Sequence, residues 1–260
     1  MVVGVDGCKA GWLAIKIASS FSWEMAVFRE FVSLWANYHQ AQVILVDIPL
    51  GLKAGGPGER VCDQEARRRL GPKRGASVFP VPYRPTVHFF SEIKVYQKVS
   101  QFNRRLAGKG LSRQTFNIIP RILEMDRFLL EHPEARKVVR ETHPEICFWA
   151  FNRGRPMAYS KTRKGEREKG LVERLDLLQR FFPPAGEIWT EAQGTFRHRE
   201  VSRDDILDAL VAAVTGLYGG KALKTLPPCP QTDSQGIPME IVYFAPGDEA
   251  ETRGAAVLRT

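Results

Sequence analysis

Residues 43–48 of the chain read Val-Ile-Leu-Val-Asp-Ile, and Pro49 ends the run. A short, continuous and mostly β-branched apolar stretch predicts a strand that is buried on both faces, as in the middle of a parallel or mixed sheet. Three further strands, separated by turns that contain glycine or serine, are predicted before it at Val2–Asp6, Trp12–Ile17 and Trp23–Phe28. Apolar residues at helical spacing predict a helix over Arg29–His39.

The chain changes character after this run, between about residues 50 and 135. Glycine and proline are frequent there, and helices are predicted at Glu59–Leu70, Phe89–Leu106 and Arg113–His132. We interpret this stretch as a basic, mostly helical insertion into a core that spans residues 1–220. The core continues with a predicted strand at Val138–Thr142 and predicted helices at Gly165–Phe182 and Asp204–Tyr218. Residues 221–260 are interpreted as a proline-containing C-terminal segment with an edge strand at 240–244.

The order of the predicted elements decides the fold class. An antiparallel meander of three strands is followed by strands that alternate with helices. This order predicts an α/β fold in which a mixed sheet carries helices on its faces. With 260 residues, of which 43% are hydrophobic, the chain is long and apolar enough to form the core that such a fold requires.

Two aspartates lie at the ends of predicted strands. Asp6 ends the first strand, and Asp47 lies near the end of the fourth. A buried carboxylate at a strand end is costly unless a donor or a cation compensates it, and sites in α/β sheets gather at such strand ends. If the two strands are neighbours, the aspartates can share one hard cation such as Mg²⁺. A simpler alternative stays open, in which Asp6 accepts hydrogen bonds from the turn at Gly7 and Asp47 braces the loop at Gly51.

The helix predicted to begin at Asp204 carries further acids. Asp205 and Asp208 lie on one side of it, and Asp208 borders its apolar stripe. Ser202 and Asp205 fit a capping arrangement, which explains acids in the first turn without any functional site. Capping does not explain Asp208, one turn further on. Its burial is costly unless a cation or a hydrogen-bond donor lies opposite.

Positive charge is concentrated in one segment. The chain carries a formal charge of +9, and residues 53–113 hold fourteen Lys and Arg against four Asp and Glu. A basic segment of this size is typical of proteins that bind a polyanion, nucleic acid first. Together with Lys9, which follows the first strand, the candidate phosphate-binding residues are Arg60, Arg67, Lys73 and Arg74. The alternative is a solvated basic surface in which Arg60, Asp63 and Arg67 form a ladder of ion pairs.

Cysteine usage and the N-terminal sequence favour a cytoplasmic protein. The four cysteines are far apart and none belongs to a C-x-x-C pair, which argues against a zinc ribbon and against a disulfide framework. The chain runs into Asp6 without the basic and apolar regions of a signal peptide, and no apolar run reaches the length of a membrane span. We therefore expect a cytoplasmic chain that does not enter a membrane.

Six motifs along the chain resemble those of a single family. They are Val3-Gly4-Val5-Asp6-Gly7-Cys8-Lys9-Ala10-Gly11-Trp12, Val46-Asp47-Ile48-Pro49-Leu50-Gly51-Leu52, Arg60-Val61-Cys62-Asp63, Ser77-Val78-Phe79-Pro80, Glu141-Thr142-His143-Pro144-Glu145 and Asp205-Ile206-Leu207-Asp208-Ala209-Leu210. The chain resembles the family known as domain of unknown function 429, whose members are predicted nucleases of the ribonuclease H-like superfamily. The resemblance extends over most of the chain, to about residue 245.

This resemblance implies a ribonuclease H-like fold with a metal-dependent site. In that superfamily one carboxylate lies at the end of strand one, another at the end of strand four, and one or two on the last core helix. The residues at these places, which are the implied catalytic residues and ligands for Mg²⁺ or Mn²⁺, are Asp6, Asp47, Asp205 and Asp208. Glu145, which follows a predicted strand, is a candidate extra ligand. The implied reaction is hydrolysis of phosphodiester bonds in nucleic acid by two metal ions about 3.5–4 Å apart.

Two other functions remain open at this point. A phosphotransferase of the actin or sugar-kinase type shares the fold topology and places a glycine-rich phosphate loop after the first-strand aspartate, where this chain has Asp6-Gly7-Cys8-Lys9-Ala10-Gly11. The chain lacks a clear second phosphate loop before the last helix, which argues against that function. The other alternative is a non-catalytic nucleic-acid-binding module on the same fold, and acids at four superfamily positions argue against it.

Overall fold

The computed structural model describes residues 1–247 of the chain. Its main element is a five-stranded sheet with the order β3-β2-β1-β4-β5. The strands are β1 (Val2–Cys8), β2 (Gly11–Ile17), β3 (Trp23–Phe28), β4 (Val43–Val46) and β5 (Val139–Glu141). β1, β2 and β3 form an antiparallel meander, whereas β4 runs parallel to both β1 and β5. The predicted α/β fold with a mixed sheet is therefore confirmed.

Nine α-helices lie within residues 1–247. They are α1 (Phe31–Tyr38), α2 (Val61–Arg74), α3 (Arg84–Glu92), α4 (Tyr96–Ala107), α5 (Arg113–Glu131), α6 (Pro144–Phe151), α7 (Arg167–Phe181), α8 (Ala185–Thr195) and α9 (Arg203–Gly219). A separate two-stranded sheet follows, with β6 (Lys224–Thr232) and β7 (Pro238–Tyr243) antiparallel to each other. The fold thus consists of one mixed sheet, helices on both of its faces, and a C-terminal hairpin.

The helices cover both faces of the sheet because side chains alternate along each strand. Leu13 and Ile15 of β2 point into a core shared with α6, α7, α8 and α9, while Trp12 and Ala14 point into a second core shared with α1 and α5. All four residues of β4 are buried, as the apolar run predicted. Covering both faces places the ends of β1 and β4 between two layers of helices, where a site can form.

Helix α9 packs against β1 at unusually short range. A Cβ atom on Gly4 would lie 2.1 Å from the backbone oxygen of Ala209 and 2.1 Å from the backbone nitrogen of Ala213. No side chain fits such a space, so only glycine at position 4 lets the helix axis approach the strand this closely. This close approach brings the N-terminal half of α9, which carries the acids, beside the end of β1.

Two elements differ from the sequence-based prediction. The helix predicted over Phe89–Leu106 is two helices, because Ile93 and Val95 adopt extended backbone conformations. The stretch with Pro227, Pro228 and Pro230 in the proline-containing C-terminal segment is a strand, β6, that the sequence-based prediction did not include. Its register shifts between Leu226 and Gln231, and an edge strand of this kind tolerates proline because it does not need every backbone N–H for pairing.

None of the helices in the described part of the chain combines the length and the apolar character needed to cross a membrane.

Candidate functional site

Asp6 and Asp47 lie side by side at one edge of the sheet. The parallel ladder between β1 and β4 ends at the pair Val5 and Val46, and each aspartate is the next residue of its strand. The backbone N–H of Asp47 donates to the carbonyl of Val5 at 2.9 Å, which holds the two chains together at this point. The expectation that the two aspartates lie on neighbouring strands is therefore confirmed.

Helix α9 supplies the other two predicted acids. Asp205 takes part in a capping box, in which the Ser202 backbone N–H donates to Asp205 Oδ2 at 2.8 Å and the Ser202 hydroxyl accepts from the Asp205 backbone. Asp208 lies one turn further on and is only 7% exposed. Capping therefore accounts for part of the role of Asp205 and for none of that of Asp208.

The four acids form one electrostatic group, which we call the carboxylate cluster: Asp6, Asp47, Asp205 and Asp208. Burial, followed by repulsion from Asp47 and Asp208, raises the pKa of Asp6 well above its usual range. Burial and the charge of Asp208 raise the pKa of Asp47 in the same way. Raised values mean that the ionised carboxylates are poorly compensated by the protein around them.

A lysine that the sequence-based prediction missed lies against the cluster. Lys161, in the loop between α6 and α7, forms an ion pair through its Nζ with Asp208 Oδ2. Burial still raises the pKa of Asp208 to about 6, although the charge of Lys161 opposes the shift. The cation that lies opposite Asp208 in the structure is this lysine, whereas the sequence-based prediction placed a metal ion there. The second oxygen, Asp208 Oδ1, is buried and has no hydrogen-bond partner among residues 1–247.

A cavity of about 1140 Å³ opens over the cluster. Asp6, Asp47 and Asp205 line it, and Asp208 does not. Its walls carry basic and amide side chains from the β1–β2 turn, α5, α7 and the segment before α9: Lys9, Gln114, Asn117, Arg121, Arg167, His198 and Arg199. The cavity therefore combines an acidic floor with basic walls, an arrangement that suits an anionic ligand held next to a cation.

Comparison with protein families gives one match. The family described as "Protein of unknown function (DUF429)" matches residues 4–232, which include the whole carboxylate cluster. The chain belongs to this family. Comparison with curated proteins and with solved structures found no match. The family resemblance seen in the sequence motifs is thus confirmed, and the chemistry has to be argued from the site of this member of the DUF429 family.

The carboxylate cluster has the kind of oxygen atoms that bind a divalent metal ion, but its side chains are not arranged as a metal site. Carboxylate oxygens are the ligands that Mg²⁺ and Mn²⁺ prefer, and the uncommitted Asp208 Oδ1 is an acceptor of the right kind. Across residues 1–247, however, no group of three His, Cys, Asp or Glu side chains is arranged to hold a metal ion. The residues fit a hard cation in chemistry, and the side chains would have to converge further to form a cage.

Arg60, a predicted phosphate-binding residue, lines the cavity, but its guanidinium donates to protein acceptors. Nε and Nη2 donate to Asp63 at 2.9 and 2.6 Å, Nη1 and Nη2 donate to Glu141 at 2.8 and 2.7 Å, and Nη1 also donates to the Leu50 carbonyl at 2.6 Å. These bonds use all five N–H donors of the side chain. Arg60 is buried and holds α2 to β5, which argues against phosphate binding by this residue. The surface ion-pair ladder is wrong, because Arg60 and Asp63 are buried and Arg67 pairs with Glu59.

Glu145, the candidate extra metal ligand, belongs to a different arrangement. Both of its oxygens accept from Nη2 of Arg174, at 2.6 and 2.8 Å, and Arg174 is fully buried. The charge of Arg174 holds the pKa of Glu145 below its usual range despite burial. The structure places Glu145 outside the cavity lining and in an ion pair that links α6 to α7.

The remaining predicted substrate-binding residues divide into two groups. Lys9 is exposed at the tip of the β1–β2 turn and lines the cavity. The side chains of Arg67, Lys73 and Arg74 do not line it. Arg67 pairs with Glu59, and Arg74 donates to two backbone carbonyls between α6 and α7. The basic segment thus exposes less free charge than its composition indicates.

Arg121 is a basic residue of the cavity wall that the sequence-based prediction missed. It lies on α5, its guanidinium carbon is 5.0 Å from the ring centroid of Trp12, and its Nη1 donates to Glu124 at 3.0 Å. Arg167 and Arg199 reach the same cavity from α7 and from the chain before α9. No local motif marks these residues, because only the packing of distant helices brings them to one place.

Proposed function

We propose that this protein is a divalent-metal-dependent nuclease that hydrolyses phosphodiester bonds, on a ribonuclease H-like version of the mixed α/β fold. The observation that carries the proposal is the carboxylate cluster under a basic-walled cavity. Asp6 and Asp47 come directly after Val5 and Val46, the last residues paired between β1 and β4. Asp205 and Asp208 lie on α9, the last long helix. These are the places that the superfamily resemblance implies, which supports the finer assignment of the fold.

The chemistry of the floor favours a hard cation. Asp6, Asp47 and Asp205 present oxygen donors to the cavity, and their raised pKa values indicate a deficit of positive charge that Mg²⁺ or Mn²⁺ would compensate. When bound, a divalent cation supplies Lewis acidity that activates water and stabilises a departing oxygen. The protein would hold the cation with the three carboxylates of Asp6, Asp47 and Asp205, which line the cavity.

The walls favour a phosphate-containing substrate. Lys9, Arg121 and Arg199 lie around the acidic floor, so a phosphodiester held by them would stand over Asp6 and Asp47. Arg121 keeps its orientation through Glu124 and the Trp12 ring, and a pre-oriented guanidinium is well suited to a phosphate. A nucleic-acid strand has the regularly spaced phosphates that such a wall would contact.

The β1–β2 turn argues for the nuclease rather than for the phosphotransferase. Cys8 pairs with Gly11, so Lys9 and Ala10 form the tip of a tight hairpin. A Cβ on Gly11 would lie 1.9 Å from the Phe28 carbonyl, which shows that this glycine is used for packing. Two backbone N–H groups of this turn are already used, because Gly7 donates to Asp6 Oδ1 at 2.7 Å and Ala10 donates to the Glu200 carbonyl at 3.2 Å. Fewer donors therefore remain for a nucleotide phosphate.

A cleavage assay tests the proposal. The protein is incubated with labelled single-stranded and duplex DNA and RNA in Mg²⁺, in Mn²⁺ and in EDTA. We expect products with a divalent cation and none in EDTA. Absence of cleavage for every substrate, with the protein folded, would contradict the proposal.

A binding assay in EDTA tests the walls separately. The double variant Lys9→Gln/Arg199→Gln should lower the log–log salt slope of nucleic-acid affinity by about 1 to 2, since each lost phosphate contact removes about 0.9 on duplex DNA. Lys73→Gln, a change at an exposed residue outside the cavity, is the matched control and should leave the slope unchanged. Equal slopes for all three proteins would show that the cavity walls do not contact the phosphates.

A further inference from the structure

Lys161 is held at the inner side of the carboxylate cluster. Its Nζ pairs with Asp208, and its side chain is only 14% exposed. The same ammonium interacts electrostatically with Asp47 and Glu145. Since Asp6, Asp47 and Asp205 line the cavity and Asp208 does not, the lysine occupies the side of the cluster that faces away from the cavity.

The loop that carries Lys161 is fixed by specific contacts. Glu173 accepts from the backbone N–H groups of Ala158 and Tyr159, at 2.7 and 2.9 Å, and Arg174 donates to the Tyr159 carbonyl at 3.0 Å. A Cβ on Gly170 would lie 2.5 Å from the Ser160 carbonyl oxygen, so α7 accepts the loop only because residue 170 is glycine. A chain segment anchored at several points delivers this ammonium to the cluster, which a chance surface contact would not require.

A purely structural ion pair would leave Asp208 better satisfied than it is. In the neighbouring pair, both oxygens of Glu145 accept from Arg174. Asp208 has one oxygen on Lys161, and its other oxygen is buried without a partner among residues 1–247. The single ammonium also serves more than one carboxylate, since Asp47 lies within its field. Lys161 therefore acts as a shared cation of the cluster rather than as the partner of one acid.

We propose that Lys161 is a resident cation that takes the place of a second metal ion, so that the protein binds one divalent cation at Asp6, Asp47 and Asp205. This inference rests on the proposed function, because it specifies how that site is occupied. It replaces the two-metal arrangement expected from the superfamily resemblance with one metal ion and one ammonium.

Titration calorimetry with Mn²⁺ alone tests the proposal on the full chain. We expect one Mn²⁺ per wild-type chain and one for Lys161→Arg, which keeps the charge. For Lys161→Gln we expect either a second Mn²⁺ or one that binds at least about tenfold more tightly, because an acid that loses its charged partner is free to coordinate. Two Mn²⁺ ions on the wild type, or a Lys161→Gln variant identical to it, would overturn the proposal.

A second variant keeps the test valid if Lys161→Gln does not fold. The double change Lys161→Gln/Asp208→Asn removes both charges and leaves a neutral pair of similar size, which buried sites often tolerate. We expect it to bind one Mn²⁺ within about threefold of the wild-type affinity, whereas loss of a true ligand would weaken binding by more than about tenfold. The latter result would show that Asp208 is a metal ligand and that the inference is wrong.

The outcomes also separate this inference from the proposed function. If the wild type binds one Mn²⁺ and cleaves nucleic acid while Lys161→Gln binds it identically, the function stands and the role of Lys161 fails. If neither protein binds Mn²⁺ and neither cleaves, the metal-dependent function fails together with the inference.

Discussion

Two groups of buried or half-buried acids lie close together in this protein and have different surroundings. The arginine-paired acids are Asp63, Glu141 and Glu145, and the carboxylate cluster is Asp6, Asp47, Asp205 and Asp208. Arg60 and Arg174 use their donors on the first group with short, two-pronged geometry. The second group has a single lysine, and it leaves one oxygen of Asp208 without a partner.

The difference shows how to separate structural acids from candidate functional ones when burial alone does not. An arginine fixed by several carbonyls and carboxylates makes a rigid, self-contained connection between elements, as Arg60 does between α2 and β5. A group of acids with too little positive charge is costly to the fold, and it persists where a ligand or a reaction uses it. By this criterion the carboxylate cluster is the better candidate for a functional group, although Asp63 and Glu141 line the same cavity.

The largest effect is expected from breaking an arginine-paired acid. Glu145→Gln removes the charge opposite Arg174, which is fully buried, so the free energy of unfolding should fall by about 3 kcal/mol or more. Chemical denaturation measures this loss. Glu168→Gln, at a largely exposed ion pair with Arg203, is the control and should change the denaturation midpoint little. Mn²⁺ affinity of folded Glu145→Gln should match the wild type, and a clear loss would make Glu145 a metal ligand after all.

A change in the carboxylate cluster should lower activity and leave stability the same or higher, which is the reverse of the pattern expected for Glu145→Gln. Asp47→Asn should lower the rate of metal-dependent cleavage by more than about 100-fold, because loss of a direct ligand exceeds the effects seen for supporting residues. The melting temperature without metal should stay the same or rise, because the raised pKa of Asp47 shows that its charge opposes folding.

Asp204→Asn is the matched control for this prediction. Asp204 lies outside the cluster and bonds to Arg167 at the start of α9, so most activity should remain and some stability should be lost. Normal cleavage by Asp47→Asn, together with a lower melting temperature, would place Asp47 among the structural acids.

The sequence predicted the edge of the sheet where these groups meet. Strand predictions depend on local periodicity, and parallel neighbours end at the same edge, so Asp6 and Asp47 could be paired before any coordinates were known. The acids of α9 followed from helical spacing, and the expectation of a cation opposite Asp208 followed from the cost of burying a charge. Each of these inferences needs only the residue, its near neighbours in sequence and the class of fold.

The residues that complete the site depend on long-range packing. Lys161 is 47 residues from Asp208 in sequence, and Arg60 is 81 residues from Glu141, so no local pattern connects either pair. The charge balance of residues 53–113 treated every arginine as exposed, whereas Arg60 and Arg84 are buried on carboxylates. A count of charges therefore located a basic segment correctly and could not tell which of its side chains reach the cavity.

Replacing Gly170 with alanine adds only a methyl group, and we expect this to move Lys161, the shared cation of the carboxylate cluster. Gly170→Ala would force the Ser160 carbonyl away from α7 and displace the loop that carries Lys161, at a cost of about 1–3 kcal/mol, as for other overpacked contacts. The prediction is lower stability together with altered Mn²⁺ affinity. Gly194→Ala in α8 has no neighbouring atom within 4 Å and should stabilise the protein by about 0.5–1 kcal/mol. Equal effects of the two alanines would show that the loop is not held by this contact.

The smallest expected effect tests, through pH, how fully one arginine compensates two of the arginine-paired acids. Asp63 and Glu141 share the one guanidinium of Arg60, and burial raises the pKa of Glu141 to about 7. Because the folded protein then binds a proton more tightly than the unfolded chain, this contribution to stability is present at low pH and is lost as pH rises through 7. Between about pH 6 and pH 8 the loss amounts to roughly 1 kcal/mol.

His143, whose pKa is lowered by burial, acts in the opposite direction below its unfolded value of 6.5, so the comparison must be made between variants. Glu141→Gln should be less stable overall, and its free energy of unfolding should fall less between those two pH values than that of the wild type. Denaturation curves in metal-free buffer measure both slopes. Parallel curves would mean that Arg60 keeps Glu141 ionised throughout, and that one guanidinium is enough for two carboxylates.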